Sequence, residues 1–401
     1  MRISTQQMYM QGVGNIVDKQ SNLATLQSQI GSGKRLLTPA DDPVAAAHVV
    51  TISNAQSQIG QYQKNINMVT QRLGQEDTTL SSATNSIQRI RELVVQANGL
   101  GLSNSDRASI ASEVSQRLSE LVGYGNTVDG NGDYLFAGNQ ASAMPFTMDA
   151  AGNVTYNGDQ GNRQVAISAT RSVADSNSGD AVFMSIRNGN GMFATAAAGV
   201  NTGTGTINAG SVTNAAAYVP DNFQINFTSA TTFDVVDTTS GATVLSAQPY
   251  TADSSISFNG STISISGQPA SGDSFTVQPS SNQSVFKTVN DFVNALNTPV
   301  STPADRARFN NAASTALTNI DQAMQNFLSV RASVGAREQT IQAQQQSNDD
   351  FNTQLTQLRS SLESTDMVKA VSDLSLQMTT LQAGEQAFVK VQGLSLFNYF
   401  R

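Results

Sequence analysis

The chain has 401 residues, of which 13% are charged and 39% hydrophobic, and its formal net charge is −8. This length exceeds what one hydrophobic core normally supports, so we expect about two to four domains. The acidic balance argues against nucleic acid or an acidic membrane surface as a partner, because both require clustered Lys and Arg. No apolar run approaches the ~18 residues of a membrane span. The segment Met1–Met8 also lacks the apolar core of a cleaved secretory signal.

Cysteine and tryptophan are absent, and His48 is the single histidine. Without cysteine the chain can form neither disulfides nor thiolate metal sites. One explanation is an ordinary cytosolic protein that happens to lack cysteine. The other is a protein that must stay unfolded, or be threaded through a channel, before it reaches its final place. Composition alone favours the first explanation.

The N-terminal part of the chain predicts two helices separated by a short connection. The first covers about residues 5–30 and stops at Gly31-Ser32-Gly33. Asp42 suits the N-cap of the second helix, and Pro43 suits its first position, where a missing N–H costs nothing. This second helix is predicted to end near Asn98-Gly99.

Apolar residues recur at alternating spacings of three and four along the second helix and again near the C-terminus. The two runs are Ile52, Ala55, Ile59, Tyr62, Ile66, Val69, Leu73, Glu76, Leu80, Ala83, Ile87, Ile90, Val94 and Ala97, and then Ile320, Ala323, Phe327, Val330, Val334, Arg337, Ile341, Gln344, Asn348, Phe351, Leu355, Leu358 and Leu362. Glu76 is the one position of the first run that is not apolar. Such a repeat keeps one stripe of a helix facing a partner helix over many turns. The two ends of the chain must therefore pack on each other or on neighbouring copies.

Between these helical ends the sequence predicts a β-rich region. A third helix over about Asn104–Gly123 is followed by a turn and short strand within Val128–Gly138. From Asn139 to Gln283 the apolar period becomes two, and Gly, Ser, Thr and Asn dominate. The candidate strands are Val154–Tyr156, Gln164–Ile167, Phe223–Phe227, Phe233–Val236, Ala242–Leu245, Ile256–Phe258, Thr262–Ile265 and Phe275–Val277. Asn259-Gly260 is the best hairpin turn, whereas Gly189–Ala217 is nearly low in complexity and predicts a loop-rich or weakly ordered segment.

Helical spacing resumes over Val285–Leu296 and continues from Pro303 to the chain end, but it loses register near Ser364-Thr365. The register change predicts two consecutive helices and a domain boundary near residues 361–366. The predicted fold class is α+β multidomain, with a coiled-coil rod from both chain ends and an inserted β-rich domain. The predicted domains are residues 1–42 with 364–401, residues 43–138 with 284–363, and residues 139–283.

Three features that could indicate chemistry have simpler explanations. His48 has no HExxH partner, so a packing role is favoured over catalysis. Asp129, Asn131 and Asp133 imitate the start of a calcium loop, but Tyr134 stands where the loop requires glycine. The glycines of residues 189–205 lack the lysine of a phosphate loop. We therefore predict no enzymatic activity and no catalytic, cofactor-binding or metal-binding residues.

Three segments resemble a known family. Gly31-Ser32-Gly33-Lys34-Arg35-Leu36, followed by Ala40-Asp41-Asp42-Pro43, is similar to the N-terminal signature shared by flagellins and flagellin-like junction proteins. Asp133-Tyr134-Leu135-Phe136-Ala137-Gly138, and the C-terminal run from Phe388 to Phe400, resemble the junction proteins more than filament flagellins. The sequence is thus similar to the hook–filament junction proteins (the hook-associated protein 3 family) over residues 1–170 and 285–401. The middle resembles this family only as a β-rich insertion.

This resemblance implies a structural subunit of the bacterial flagellum, located outside the cell after export by a type III apparatus. Its implied partners are the neighbouring hook-associated protein, flagellin, further copies of itself in a ring, and an export chaperone. Terminal segments of the family are disordered as monomers and form an inner coiled-coil domain on assembly. A cysteine-free composition fits threading through a channel, so the resemblance reverses the preference drawn from composition.

The resemblance and the apolar stripes together predict residues that contact other subunits. These are Leu23, Leu26, Ile30, Lys34, Arg35, Val371, Leu374, Met378, Leu381, Phe388, Leu394, Leu396 and Phe397. Two alternatives stay open from the sequence. The chain could be a filament flagellin, or its β insertion could be a surface-displayed binding module.

Overall fold

The computed structural model describes residues 5–99 and 101–393. The α-helices of this described part are α1 (Thr5–Ser32), α2 (Pro43–Ala97), α3 (Asn104–Gly125), α4 (Val285–Asn297), α5 (Pro303–Glu363) and α6 (Met367–Gly393), and a short π-helix covers Asp180–Met184. The predicted loss of register corresponds to the break between α5 and α6. Long helices from both chain ends and a β-rich middle confirm the predicted fold class.

Side-chain caps explain where the helices begin. Asp42 Oδ1 accepts a hydrogen bond from the N–H of Ala45 at 3.0 Å, which confirms the predicted N-cap of α2. At the start of α5, Thr302 and Asp305 form a reciprocal pair in which each side chain accepts from the other's backbone N–H. Hydrogen bonds from the Ser301 N–H and from Thr302 lower the pKa of Asp305 to about 2. The other side-chain caps are Ser103 for α3, Ser284 for α4 and Asp366 for α6.

The strands of the described residues form antiparallel sheets. They are β1 (Phe146–Met148), β2 (Val154–Tyr156), β3 (Gln164–Ala166), β4 (Ser172–Ala174), β5 (Ile186–Arg187), β6 (Phe193–Ala197), β7 (Thr206–Ile207), β8 (Ser211–Val212), β9 (Phe223–Ser229), β10 (Thr232–Asp237), β11 (Thr243–Pro249), β12 (Ser255–Phe258), β13 (Ser261–Ser266), β14 (Ser274–Pro279) and β15 (Asn282–Gln283). A five-stranded sheet has the order β11-β10-β9-β14-β6, and a second sheet has the order β12-β13-β7, with β8 also paired to β13. The remaining strands pair as β1-β2, β3-β4 and β5-β15.

The hairpin prediction is confirmed, the prediction for residues 189–217 is confirmed in part, and the prediction of a short strand before Gly138 is wrong. Asn259 and Gly260 join β12 to β13 with φ angles of 43° and 76°, as a type I′ turn requires. Residues 189–217 are loop-rich, as predicted, but they also contain β6, β7 and β8, because Phe193 and Ile207 are buried in the core of the insertion. Residues 134–138 form turns with one bridge between Tyr134 and Val128 rather than a strand.

The chain divides into two compact units. The terminal unit consists of residues 1–64 with 343–401, and the central unit consists of residues 65–342. Both α2 and α5 therefore contribute residues to each unit. The three-domain division drawn from the sequence stays a prediction.

The central unit contains separate hydrophobic cores. One joins α2, α3, α4 and α5 around Phe183, whose ring lies within 5.2–5.6 Å of the rings of Phe136, Phe146, Phe286 and Phe327. Another lies inside the β insertion, between residues Phe193 and Val277. Side chains of α5 hold backbone atoms of the insertion: Asn319 Oδ1 accepts from Gly189 N–H at 2.8 Å, and Asn311 Oδ1 accepts from Ile207 N–H at 2.9 Å.

Candidate assembly interface

Helices α1 and α6 pack against each other in antiparallel orientation within the terminal unit. Near one end, the ring centroids of Tyr9 and Phe388 are 5.3 Å apart. At the other end, the N–H of Thr365 donates to the carbonyl oxygen of Gly33 at 3.0 Å. A Cβ added to Gly12 would lie 2.9 Å from the ring of Phe388, so the helices approach closely here because this position is glycine.

Six of the predicted interface residues are half-buried on this helix pair. They are Leu23, Leu26 and Ile30 of α1 and Leu374, Leu381 and Phe388 of α6. Their heptad-like spacing, and the packing of α1 on α6, identify them as the seam between the two helices. Ala370 is the one buried hydrophobic residue among the described side chains of the pair, at 4% exposure. A single subunit thus covers the seam incompletely.

Other apolar side chains of the pair remain in solvent. The predicted interface residues Val371 and Met378 are 49% and 45% exposed. Three apolar residues with still greater exposure were not among the predicted interface residues: Val368 at 84%, Val389 at 65% and Leu376 at 63%. On α1 the exposed apolar side chains are Met8, Tyr9, Met10, Val13 and Val17. Large apolar residues outside the repeat were the signal that could have revealed Val368, Leu376 and Val389.

The segment between α1 and α2 is joined to the break between α5 and α6. Lys34 and Ser364 form an antiparallel bridge, and the Arg35 N–H donates to the carbonyl oxygen of Glu363 at 2.6 Å. Arg35 Nη2 also donates to the carbonyl oxygen of Leu362 at 2.9 Å. Arg35 therefore has partners inside its own subunit. The ammonium of Lys34 is exposed and forms no ion pair with any described residue.

Within the terminal unit, α2 and α5 also present apolar side chains to solvent. Ile52, Ile59 and Leu355 form a small buried cluster. Phe351 and Leu358 belong to the same apolar repeat but are 49% and 51% exposed. The repeat of α5 is therefore only partly used inside the subunit. The predicted residues Leu394, Leu396 and Phe397 lie outside the described residues.

The described residues contain no arrangement suited to metal chemistry. No group of three or more His, Asp or Glu side chains in residues 5–99 and 101–393 could hold a metal ion. His48 is exposed. Asp129, which imitates a calcium ligand, instead accepts from the N–H groups of Asn131 and Asp133 and pairs with the buried Arg72. Within the described part of the chain, no helix has the length and apolar character needed to cross a membrane.

Comparison with known proteins places these features in a family. A model of the bacterial flagellin N-terminal helical region matches residues 3–141, and one of the bacterial flagellin C-terminal helical region matches residues 317–400. Flagellar hook-associated protein 3 of Escherichia coli (strain K12) is 27% identical over 398 residues, which cover 99% of each chain.

Solved structures agree with this relationship. The crystal structure of Xanthomonas campestris FlgL matches with a TM-score of 0.72 and 35% identity, over 77% of this chain and 99% of that one. The crystal structure of flagellar hook associated protein-3 from Legionella pneumophila matches with a TM-score of 0.74 and 34% identity, over 78% of this chain and 98% of that one. The chain therefore belongs to the flagellar hook-associated protein 3 family, whose members are structural proteins and not enzymes.

Proposed function

We propose that this protein is a structural subunit of the bacterial flagellum that joins the hook to the filament and assembles through its terminal helices. The observation that carries the proposal is the α1–α6 pair. Its apolar side chains are half-buried or exposed in one subunit, with Ala370 as the buried exception among the described side chains. Similarity to hook-associated protein 3 over nearly the whole chain supports the same role.

The energetics of the helix pair favour assembly over a solitary subunit. Full burial of a large aliphatic side chain stabilises a protein by about 1.5–3 kcal/mol. More than half of the surface of each of three such residues, Val368, Leu376 and Val389, is exposed to water. Most of the stability of a helix in a protein comes from the packing of its apolar face rather than from helix propensity. Contacts with neighbouring copies would supply that packing, so ordering of the terminal helices would be coupled to assembly.

The predicted interface residues have three different roles in this proposal. Leu23, Leu26, Ile30, Leu374, Leu381 and Phe388 form the seam, so they shape the surface that a neighbour contacts. Val371, Met378 and Lys34 are exposed, so they are positioned to contact the neighbour directly. Arg35 is expected to hold the connection between the two chain ends, because it bonds the backbone of Leu362 and Glu363. The proposed interface also includes Leu394, Leu396 and Phe397.

The partners follow from this role. Copies of the chain would form a ring between the neighbouring hook-associated protein and the first flagellin subunits. Before assembly, an export chaperone would cover the C-terminal apolar segment, and a type III apparatus would deliver the chain to the extracellular flagellum. A chain without cysteine cannot be trapped by disulfides during such export.

An in vitro extension experiment tests the proposal. Purified full-length protein would be offered to hook-type ends and to short filament fragments under salting-out conditions, and electron microscopy would record binding and length. We expect binding limited to hook-type ends, followed by normal growth when flagellin is added. Long growth by this protein alone would instead make it a filament flagellin. Failure to bind either kind of end would contradict both roles.

A further inference from the structure

Glu76 interrupts an otherwise apolar stripe in the central unit and is completely buried, at 0% exposure. Its Oε1 atom accepts a hydrogen bond from Asn177 Nδ2 at 2.7 Å. Its Oε2 atom is also buried and accepts no hydrogen bond from the described residues. An ionised carboxylate in such a place is costly, because a buried charge needs hydrogen bonds to both oxygens or a close counter-ion.

Arg337, one of the polar positions in the α5 repeat, is connected to Glu76 of α2 through the same asparagine. Arg337 Nη2 donates to Asn177 Oδ1 at 2.7 Å, and Arg337 Nη1 donates to the carbonyl oxygen of Ala174 at 3.3 Å. One amide thus connects a carboxyl of α2 to a guanidinium of α5. The segment that carries this amide, residues 175–178, follows β4 and precedes the short π-helix Asp180–Met184. Its Ser176 and Ser178 are buried.

Two of the three neighbouring arginines, Arg72 and Arg163, form ion pairs without Glu76, whereas the Arg337 guanidinium donates to neutral oxygen atoms among the described residues. Arg72 lies on α2, Arg163 on the segment before β3, and Arg337 on α5, while the carboxylates are Asp129, Asp133 and Asp175. These groups contribute three positive and three negative charges, so the cluster is balanced when Glu76 is neutral. Next to this cluster, Arg331 Nε of α5 forms an ion pair with Asp77 Oδ1 of α2 at 2.8 Å.

We propose that Glu76, Asn177 and Arg337 form a proton-sensitive latch, which holds residues 175–178 between α2 and α5 when Glu76 is neutral and loosens them when it ionises. Ionisation would place a charge on a completely buried carboxyl, beside six other charges that are formally balanced. The segment 175–178 is the one element of the latch that is not part of a long helix, so it is the element that moves.

The titration of Glu76 falls in the range where this latch would respond. Burial raises the pKa of Glu76 from 4.5 to about 7, and the nearby Asp175 acts in the same direction. The hydrogen bond from Asn177 and the charge of Arg337 lower the pKa but do not cancel the effect of burial. Because the closed state binds the proton more tightly than the open state, closing weakens as pH rises from 4.5 to about 7 and then levels off.

Hydrogen–deuterium exchange of the full-length protein tests the latch. Protection of peptides covering residues 172–186 would be measured at pH 6 and pH 8.5, after correction for intrinsic exchange rates. With a pKa of 4.5 in the open state and about 7 in the closed state, protection should fall about tenfold across this interval. The variant Glu76→Gln should change less than about twofold. The control Glu113→Gln, which removes an exposed carboxylate paired with Arg89, should behave like the native protein.

Two results would overturn the latch. One is native protection that does not change with pH, and the other is the same pH dependence in Glu76→Gln. If Glu76→Gln does not fold, the native protein still provides a test through carboxyl titration by NMR with 13C-labelled glutamate. A glutamate that titrates near pH 7 supports the proposal, whereas titration of every glutamate below pH 5.5 contradicts it.

Discussion

Leu376 offers the sharpest test of assembly through α6, because it is apolar but takes little part in its own subunit. Its side chain is 63% exposed. Full burial of leucine is worth about 1.5–3 kcal/mol, so a neighbour that covers the exposed part would gain about 1–2 kcal/mol per copy. Leu376→Ala should therefore weaken incorporation about 5- to 30-fold. The free energy of unfolding of the free subunit should change by less than about 0.5 kcal/mol.

The assay is the protein concentration at which half of the hook-type ends carry the protein in electron micrographs. Gln382→Ala is the matched control, because Gln382 is an exposed polar residue of the same helix. It should leave both incorporation and thermal unfolding unchanged. An unaltered half-occupancy concentration for Leu376→Ala would refute the assignment of this surface to assembly. A large loss of thermal stability would instead mean that Leu376 packs inside the subunit.

Three further predictions concern the seam, the aromatic core and the buried carboxyl. Leu374→Asp combined with Leu381→Asp should abolish incorporation while the β insertion stays folded, which limited proteolysis can check; normal incorporation would contradict the coiled-coil account. Phe183→Ala should lower the free energy of unfolding by about 3–5 kcal/mol in denaturant titration, because it removes the centre of the aromatic cluster; a loss below ~1 kcal/mol would show that the cluster contributes little. The raised pKa of Glu76, from 4.5 to about 7, means that the native protein loses about 3 kcal/mol of stability as pH rises between these values. Glu76→Gln should remove this loss. If the stabilities of the native protein and of Glu76→Gln change in parallel from pH 4 to 8, the prediction is wrong.

Local patterns predicted most elements of the fold because they depend on neighbouring residues in the chain. The 3,4 spacing of apolar residues predicted α2 and α5, since a stripe on one helix face requires that spacing. Asp42 and Pro43 marked the start of α2, and Asn259-Gly260 marked the β12–β13 turn, because each residue type favours one backbone conformation. The Gly189–Ala217 prediction missed three short strands, because Phe193 and Ile207 are placed in strands by distant residues of the insertion core.

The sequence by itself determined the helical ends, the β-rich middle and the resemblance to the junction family. Only the tertiary structure decided which positions of each apolar stripe one subunit covers. Val334 and Phe351 occupy the same repeat of α5, yet Val334 is 1% exposed and Phe351 is 49% exposed. The tertiary structure also decided that Glu76 and Arg337, 261 positions apart in the sequence numbering, meet through Asn177. The physical reason is that periodicity specifies the face of a helix, whereas burial depends on what distant parts of the chain bring to that face.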